Sequence, residues 1–396
     1  MSRLPAFRFL IVLIFIFFTL INLSAQETAQ ADDTREQYLI ANDLIASFQF
    51  EEAQKILSEC YVRDPRNVDY LSKIAYCNFQ MGRYPDAKMF YRQVLVVDSV
   101  NTNALSSLGT IFERELNYRE AETCYLKLLK IDTTNSYYYK LNGYTAMRLG
   151  KTLEGVAFFL KGHEVNESDI EIIDQLCQIY LSFDQLDYVD QMLDKGLALD
   201  PQNIKLLQNK SRLHQKRQEH SLVVESIEKT MAQGDTSDYY QMMLGVAYLQ
   251  MDSIDLAILN LENIVDRGKD SEYTHHYLGL AYRFKEDLPK SIEHLEKAIE
   301  KGISPKMPDF HADLASVYEK ENDIAKALAH YKAAVDYGDN PEHLFHLARL
   351  SDIYYKDKSI ALKHYRSYLA TGDEKYRKYV EGRIDQLKEI IHFQGK

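Results

Sequence analysis

The 396-residue chain has no tryptophan, eight prolines and four cysteines, and the cysteines form no C-x-x-C pair. Without that pairing a zinc ribbon or a thioredoxin-type redox site is excluded. Scarce proline leaves long stretches free to be helical. Positive charge is short as well: 47 Lys and Arg face 59 Asp and Glu, for a net charge of −12. Nucleic acid is therefore not the expected partner, because phosphate binding needs a cationic footprint. The sequence also lacks a G-x-G-x-x-G turn, a phosphate loop, a G-x-S-x-G elbow and an H-E-x-x-H helix. It offers no catalytic, cofactor or metal motif, and the expectation is a protein that is not an enzyme and carries no cofactor. His343 and His346 share one predicted helix but have no third ligand in the pattern.

What is present begins with a layout of export. Arg3 and Arg8 precede an uncharged apolar run, Phe9 to Leu23, and Ser24-Ala25 offers a small-residue cleavage site. That order is the layout of a secretory signal peptide, and the run is shorter than the roughly 20 residues of a spanning helix. Residues 1–25 are expected to be cleaved, with residues 26–33 as a polar lead-in. The alternative is a retained N-terminal anchor, the one route by which a membrane becomes a partner. Loss of the two arginines takes the net charge to −14. Cys60, Cys77, Cys124 and Cys177 read as small buried side chains, with a Cys60–Cys77 bridge as the alternative.

The body of the chain is periodic. LSSLGTIF at 105–112, QMMLGVAY at 241–248 and HHYLGLAY at 275–282 each place Leu-Gly three residues before an aromatic. Ala121 and Ala257 follow nine residues after that aromatic, and Gly109, Gly143, Gly245 and Gly279 keep multiples of 34. Repeats start at 34, 68, 102, 136, 170, 204, 238 and 272 without insertion, then near 308 and 341. The pattern resembles the tetratricopeptide repeat, a 34-residue helix–turn–helix. The resemblance implies an all-α, right-handed α-solenoid superhelix of about ten repeats over 34–373, closed by a capping helix within 374–396. In each repeat helix A precedes helix B, and slots 1 to 34 count the residues from the start of the repeat.

Partners of this family commonly lie along a concave face, contacted from slots 2, 5, 9, 12 and 13 of helix A. Through the register those slots hold Tyr137, Lys140, Tyr144 and Arg148 in the fourth repeat and Lys205, Arg212 and Lys216 in the sixth. The sixth is a basic island in an acidic chain. Together these side chains are expected to hold an extended, acidic protein or peptide segment, with tyrosines as flat contact area. The implied function is a non-enzymatic interaction scaffold in the bacterial envelope, exported to the periplasm. The alternative is a structural protein that self-associates through repeat ends or convex faces. Two finer expectations follow. Tyr139 fills the bulky slot 4 and should be core. The sixth repeat, with Lys210-Ser211 in place of Leu-Gly and Val223 in place of Ala, should have a poorer core.

Overall fold

The computed structural model describes residues 33–234, 237–302 and 304–394. The export-type segment and nearly all of the lead-in lie outside the described residues. Among those residues there are 21 α-helices and no strand. The chain divides into two compact units, one ending at Ile179 and one beginning at Tyr180.

The first unit holds α1 (33–46), α2 (Phe50–Arg63), α3 (Val68–Gln80), α4 (Tyr84–Val97), α5 (Thr102–Arg114), α6 (Tyr118–Ile131), α7 (Ser136–Arg148), α8 (Thr152–Val165) and most of α9 (Ile170–Ser182). The second holds α10 (Leu186–Leu199), α11 (Ile204–Lys216), α12 (His220–Ala232), α13 (Asp238–Gln250), α14 (Ile254–Asp266), α15 (Glu272–Phe284) and α16 (Leu288–Lys301). It continues with α17 (Met307–Lys320), α18 (Ile324–Tyr337), α19 (Pro341–Tyr354), α20 (Lys358–Ala370) and α21 (Arg377–Gln394). Odd-numbered helices up to α19 are the A helices and even-numbered ones the B helices, so the hairpin periodicity is that of the sequence.

Both turns of the hairpin repeat their chemistry. Between A and B the chain passes through slot 15 in the left-handed region, at Phe48, Gly82, Leu116, Gly150, Asp184, Gln218, Asp252, Glu286 and Asn322. Between B and the next A, a short side chain turns the backbone. Asp64, Asp98, Asp132, Asn166 and Asp200 each accept the N–H two residues on. Three residues later Asn67, Asn101, Asn135 and Asn203 cap the new helix by accepting one of its free N–H groups. A D-x-x-N-like phrase thus resets the direction of the chain once per repeat.

Packing between A and B is set at slot 8. A Cβ on Gly109 would lie 2.2 Å from Tyr125 Cε1, and one on Gly245 or Gly279 would strike Leu261 or Leu295. Slot 20 faces the same seam, where Ala53, Ala87, Ala121, Val223, Ala257 and Ala327 are all buried. Ser291 takes that slot in the eighth repeat and donates its hydroxyl to the Gly279 carbonyl at 2.8 Å, so its burial leaves no unpaired donor. Around the seam Leu71, Tyr91, Leu105, Leu108, Tyr125 and Leu128 form one continuous core in the first unit. Each fully buried side chain of this kind stabilises by about 1.5–3 kcal/mol relative to exposure.

The sixth repeat is the polar one. Asn209, Ser211, His214, Ser226 and Thr230 are buried there. Ser211, Ser226 and Thr230 return their hydroxyls to the carbonyl four residues back, which satisfies them without adding apolar contact. At the C-terminal end α21 packs Val380, Ile384 and Leu387 onto Phe345, Tyr365 and Tyr368, and Arg383 Nε pairs with Asp352 at 2.6 Å. All four cysteines are buried and free. Burial pushes the thiols of Cys77 and Cys124 up to about 11 and that of Cys177 to about 12, so they are inert at neutral pH.

Gly109→Ala should cost about 1–3 kcal/mol, because the added methyl overlaps a ring that is itself fully buried. Urea unfolding of the full chain measures it, and a change below the error of the fit would refute the close-approach argument.

Candidate functional site

In the first unit the A-helix stripe is only partly open. Lys140 reaches forward to the next repeat, with Nζ 2.6 Å from a Glu171 oxygen and 3.2 Å from an Asp169 oxygen. Its side chain is 13% exposed. Burial alone would lower its pKa, but the two carboxylates outweigh it and the net direction is up. Lys140 is thus already neutralised, and its ammonium also lies 5.6 Å from the Tyr137 ring centre. Tyr144 is half-buried and meets Phe159 edge-on at 5.2 Å. Burial, with Glu171, Asp174 and Asp169 nearby, pushes its hydroxyl up to about 12. Tyr137, 46% exposed, and the exposed Arg148 are the two members of this group that face solvent.

Two neighbours of these residues behave differently from each other. Tyr138, at slot 3, packs against the core of the preceding repeats. Tyr139 is only half-buried and is not core. The reason lies across the hairpin, where Gly162 stands at slot 27. A Cβ there would be 3.1 Å from Tyr139 Cβ, so helix B comes close with no side chain to cover the ring.

In the second unit the stripe can be followed from α11 to α19. Lys205 is exposed and Arg212 half-buried, and among the described residues neither has a carboxylate partner. Arg212 instead lies over the Tyr239 ring, 5.9 Å from its centre, on the next A helix. Lys216 is paired with Asp184, both partners being well exposed. Between α11, α12 and α13 a pocket of about 310 Å³ is lined by Gln215, Gln218, His220, Val223, Met243, Val246, Ala247 and Gln250. Carboxamides both donate and accept, which suits them to the backbone of an extended chain. Further along, the stripe neutralises itself. Arg283 pairs with Asp313 at 3.2 Å, His276 meets the same carboxylate at 2.8 Å, and Arg349 holds Glu319 at 2.6 Å.

Sequence reasoning missed Gln218 and His220, because slot 15 lies in the turn and slot 17 starts helix B, both off the stripe. It also missed the partners of Lys140, although Asp169 closes the fourth repeat and Glu171 opens the fifth. On the side of the B helices, a second pocket of about 590 Å³ opens beside Leu207, Lys210 and His214. It marks where the usual large residues of slots 7 and 11 have been replaced. Among the described residues no three metal-ligating side chains converge, and no helix is long and apolar enough to cross a membrane.

The geometry defines a class: an all-α protein built from a repeated, close-packed helix hairpin. Residues 277–343 match the family model described as the tetratricopeptide repeat. The match covers one part of the chain, and the same helix hairpin recurs on both sides of it. No curated protein matches the sequence. Among solved structures, the chain is similar to a tetratricopeptide repeat protein from Parabacteroides merdae. The two share 15% identity and a TM-score of 0.46, with 63% of this chain and 98% of the other covered. It is also similar to YrrB, a repeat protein with an unusual peptide-binding site, at 19% identity and a TM-score of 0.41, covering 48% of this chain and 96% of that one. A third is the Cut9–Hcn1 assembly of the APC/C, at 12% identity and a TM-score of 0.47, covering 90% and 97%. Repeats of this family are generally scaffolds for protein–protein interaction without catalysis.

Lys140→Met and Lys205→Met should separate a structural lysine from an open one. The first strands two carboxylates and should destabilise by about 1–2 kcal/mol. The second should stay within about 0.5 kcal/mol of the parent. Equal effects in chemical denaturation would contradict the assignment.

Proposed function

We propose that the chain is a non-enzymatic scaffold that holds an extended, acidic segment of a partner protein along its A-helix stripe, in the envelope of a bacterium. The observation that carries this reading is the contrast in pairing. Lys140, Arg283 and Arg349 each have carboxylates from an adjacent repeat, whereas Lys205 and Arg212 have none. Two cations side by side on the stripe without a carboxylate leave a local deficit of negative charge there. A carboxylate arriving from outside would gain a charge-assisted hydrogen bond there, and Tyr239 and the neighbouring glutamines would meet its backbone and apolar parts. In the first unit Tyr137 and Arg148 form a smaller contact of the same kind.

Fluorescence polarisation with an Asp- and Glu-rich peptide containing one aromatic residue tests this reading. The peptide should bind, and a Lys-rich peptide of equal length should not. Joint Lys205→Glu, Arg212→Glu and Lys216→Glu replacement should weaken binding by about tenfold or more with the helical content intact. Unchanged affinity would sink the proposal.

The exported location rests on the order of Arg3 and Arg8, the apolar run Phe9 to Leu23, and Ser24-Ala25. Mass spectrometry of the mature N-terminus should find Gln26 as the first residue. A chain that begins at Met1 in the membrane fraction would establish the anchor instead.

A further inference from the structure

Histidine recurs at the same two places in successive hairpins. His275 and His294 occupy slots 4 and 23 of the eighth repeat, and His311 and His330 occupy them in the ninth. In both pairs the Nδ1 atoms are 3.0 Å apart and the rings stack with centres 5.3 Å apart. A slot-11 tyrosine stacks on the second histidine, Tyr282 on His294 at 5.5 Å and Tyr318 on His330 at 5.6 Å. A slot-19 ammonium covers each tyrosine, Lys290 at 4.8 Å and Lys326 at 4.9 Å. Each tyrosine hydroxyl donates to a glutamate at slot 25 of the preceding repeat, Glu262 or Glu296. The seventh repeat has Gln241 and Asn260 at slots 4 and 23, and the tenth has Leu344 and Lys363, so the arrangement is not a general feature of the array.

A 3.0 Å contact between two imidazole nitrogens needs one proton and one lone pair. His275 donates its Nε2–H to Asp270 at 2.8 Å, since a carboxylate can only accept. Its Nδ1 is therefore the acceptor, and His294 is the donor. Protonating both rings would set N–H against N–H and break the bond.

We propose that the eighth and ninth repeats form an acid-labile cassette, in which protonation of the His275–His294 and His311–His330 pairs opens α15–α18 while the histidine-free hairpins of α3–α6 stay closed. The charged groups around the pairs do not remove the penalty. Asp270 favours a proton on His275, but Lys297 and Lys301 oppose it. Glu293 and Glu262 face His294 together with Lys297, and Glu296 faces His330 together with Lys326. Burial is the largest effect on all four, and it holds His294 and His311 down at about 4. An unfolded histidine titrates near 6.5. The folded values lie lower, so the stabilisation is complete above about pH 6.5 and is lost as pH falls from there towards about 4. His276, Arg283 and Asp313 stand on α15 and α17, so opening would also dismantle that part of the A-helix stripe.

Hydrogen exchange of the full chain at about pH 7 and about pH 5, corrected for intrinsic rates, tests the cassette. Protection of α15–α18 should fall about tenfold or more relative to α3–α6. Replacing a pair by phenylalanines, His275→Phe with His294→Phe or His311→Phe with His330→Phe, should remove the dependence in that hairpin. If the larger rings disturb the fold, His294→Asn and His330→Asn keep a donor to the partner ring and do not titrate. A loss of protection equal along the whole chain, or one that survives these replacements, overturns the proposal.

Discussion

Everything in this array depends on how closely helix A can approach helix B. Slot 8 has room only for glycine or a small side chain, because the ring or branched side chain of slot 24 already fills the space. That approach fixes the crossing of the hairpin and turns the remaining large side chains outward, where they need the next hairpin to cover them. Stacking is then obligatory, since one hairpin cannot bury its own apolar face. The turns serve this geometry. The left-handed residue at slot 15 and the Asn cap before helix A deliver each helix to its seam in the same register.

The fold was legible because the constraint leaves small residues at a fixed interval. Gly109, Gly143, Gly245 and Gly279 mark the seam, and the hairpins on either side follow from counting. The D-x-x-N turn was equally present in the sequence, but it carries meaning only once the helix ends are known. Where side chains at signature slots are polar, as in the sixth repeat, counting alone placed the helices correctly and also predicted the poorer core.

The site was less legible, for a physical reason. A slot number tells which way a side chain points and not what meets it there. Lys140 and Lys205 occupy equivalent faces, yet one is held by Asp169 and Glu171 and the other is open. The difference lies in the adjacent repeat, about thirty residues away. Arg283 with Asp313 and Arg349 with Glu319 span 30 residues each, so pairing has to be read across repeats. Tyr139 failed as a core residue for the same kind of reason: its exposure is decided by Gly162 on the opposing helix.

That spacing of partners has a consequence for how the chain behaves outside its final state. Contacts reach one repeat forward or back, so no segment has to wait for a distant one before closing. A chain emerging end-first from synthesis or from a narrow pore can form each hairpin as soon as its neighbour appears. Pulled from one end, it would surrender one hairpin at a time, like a zip and not like a knot.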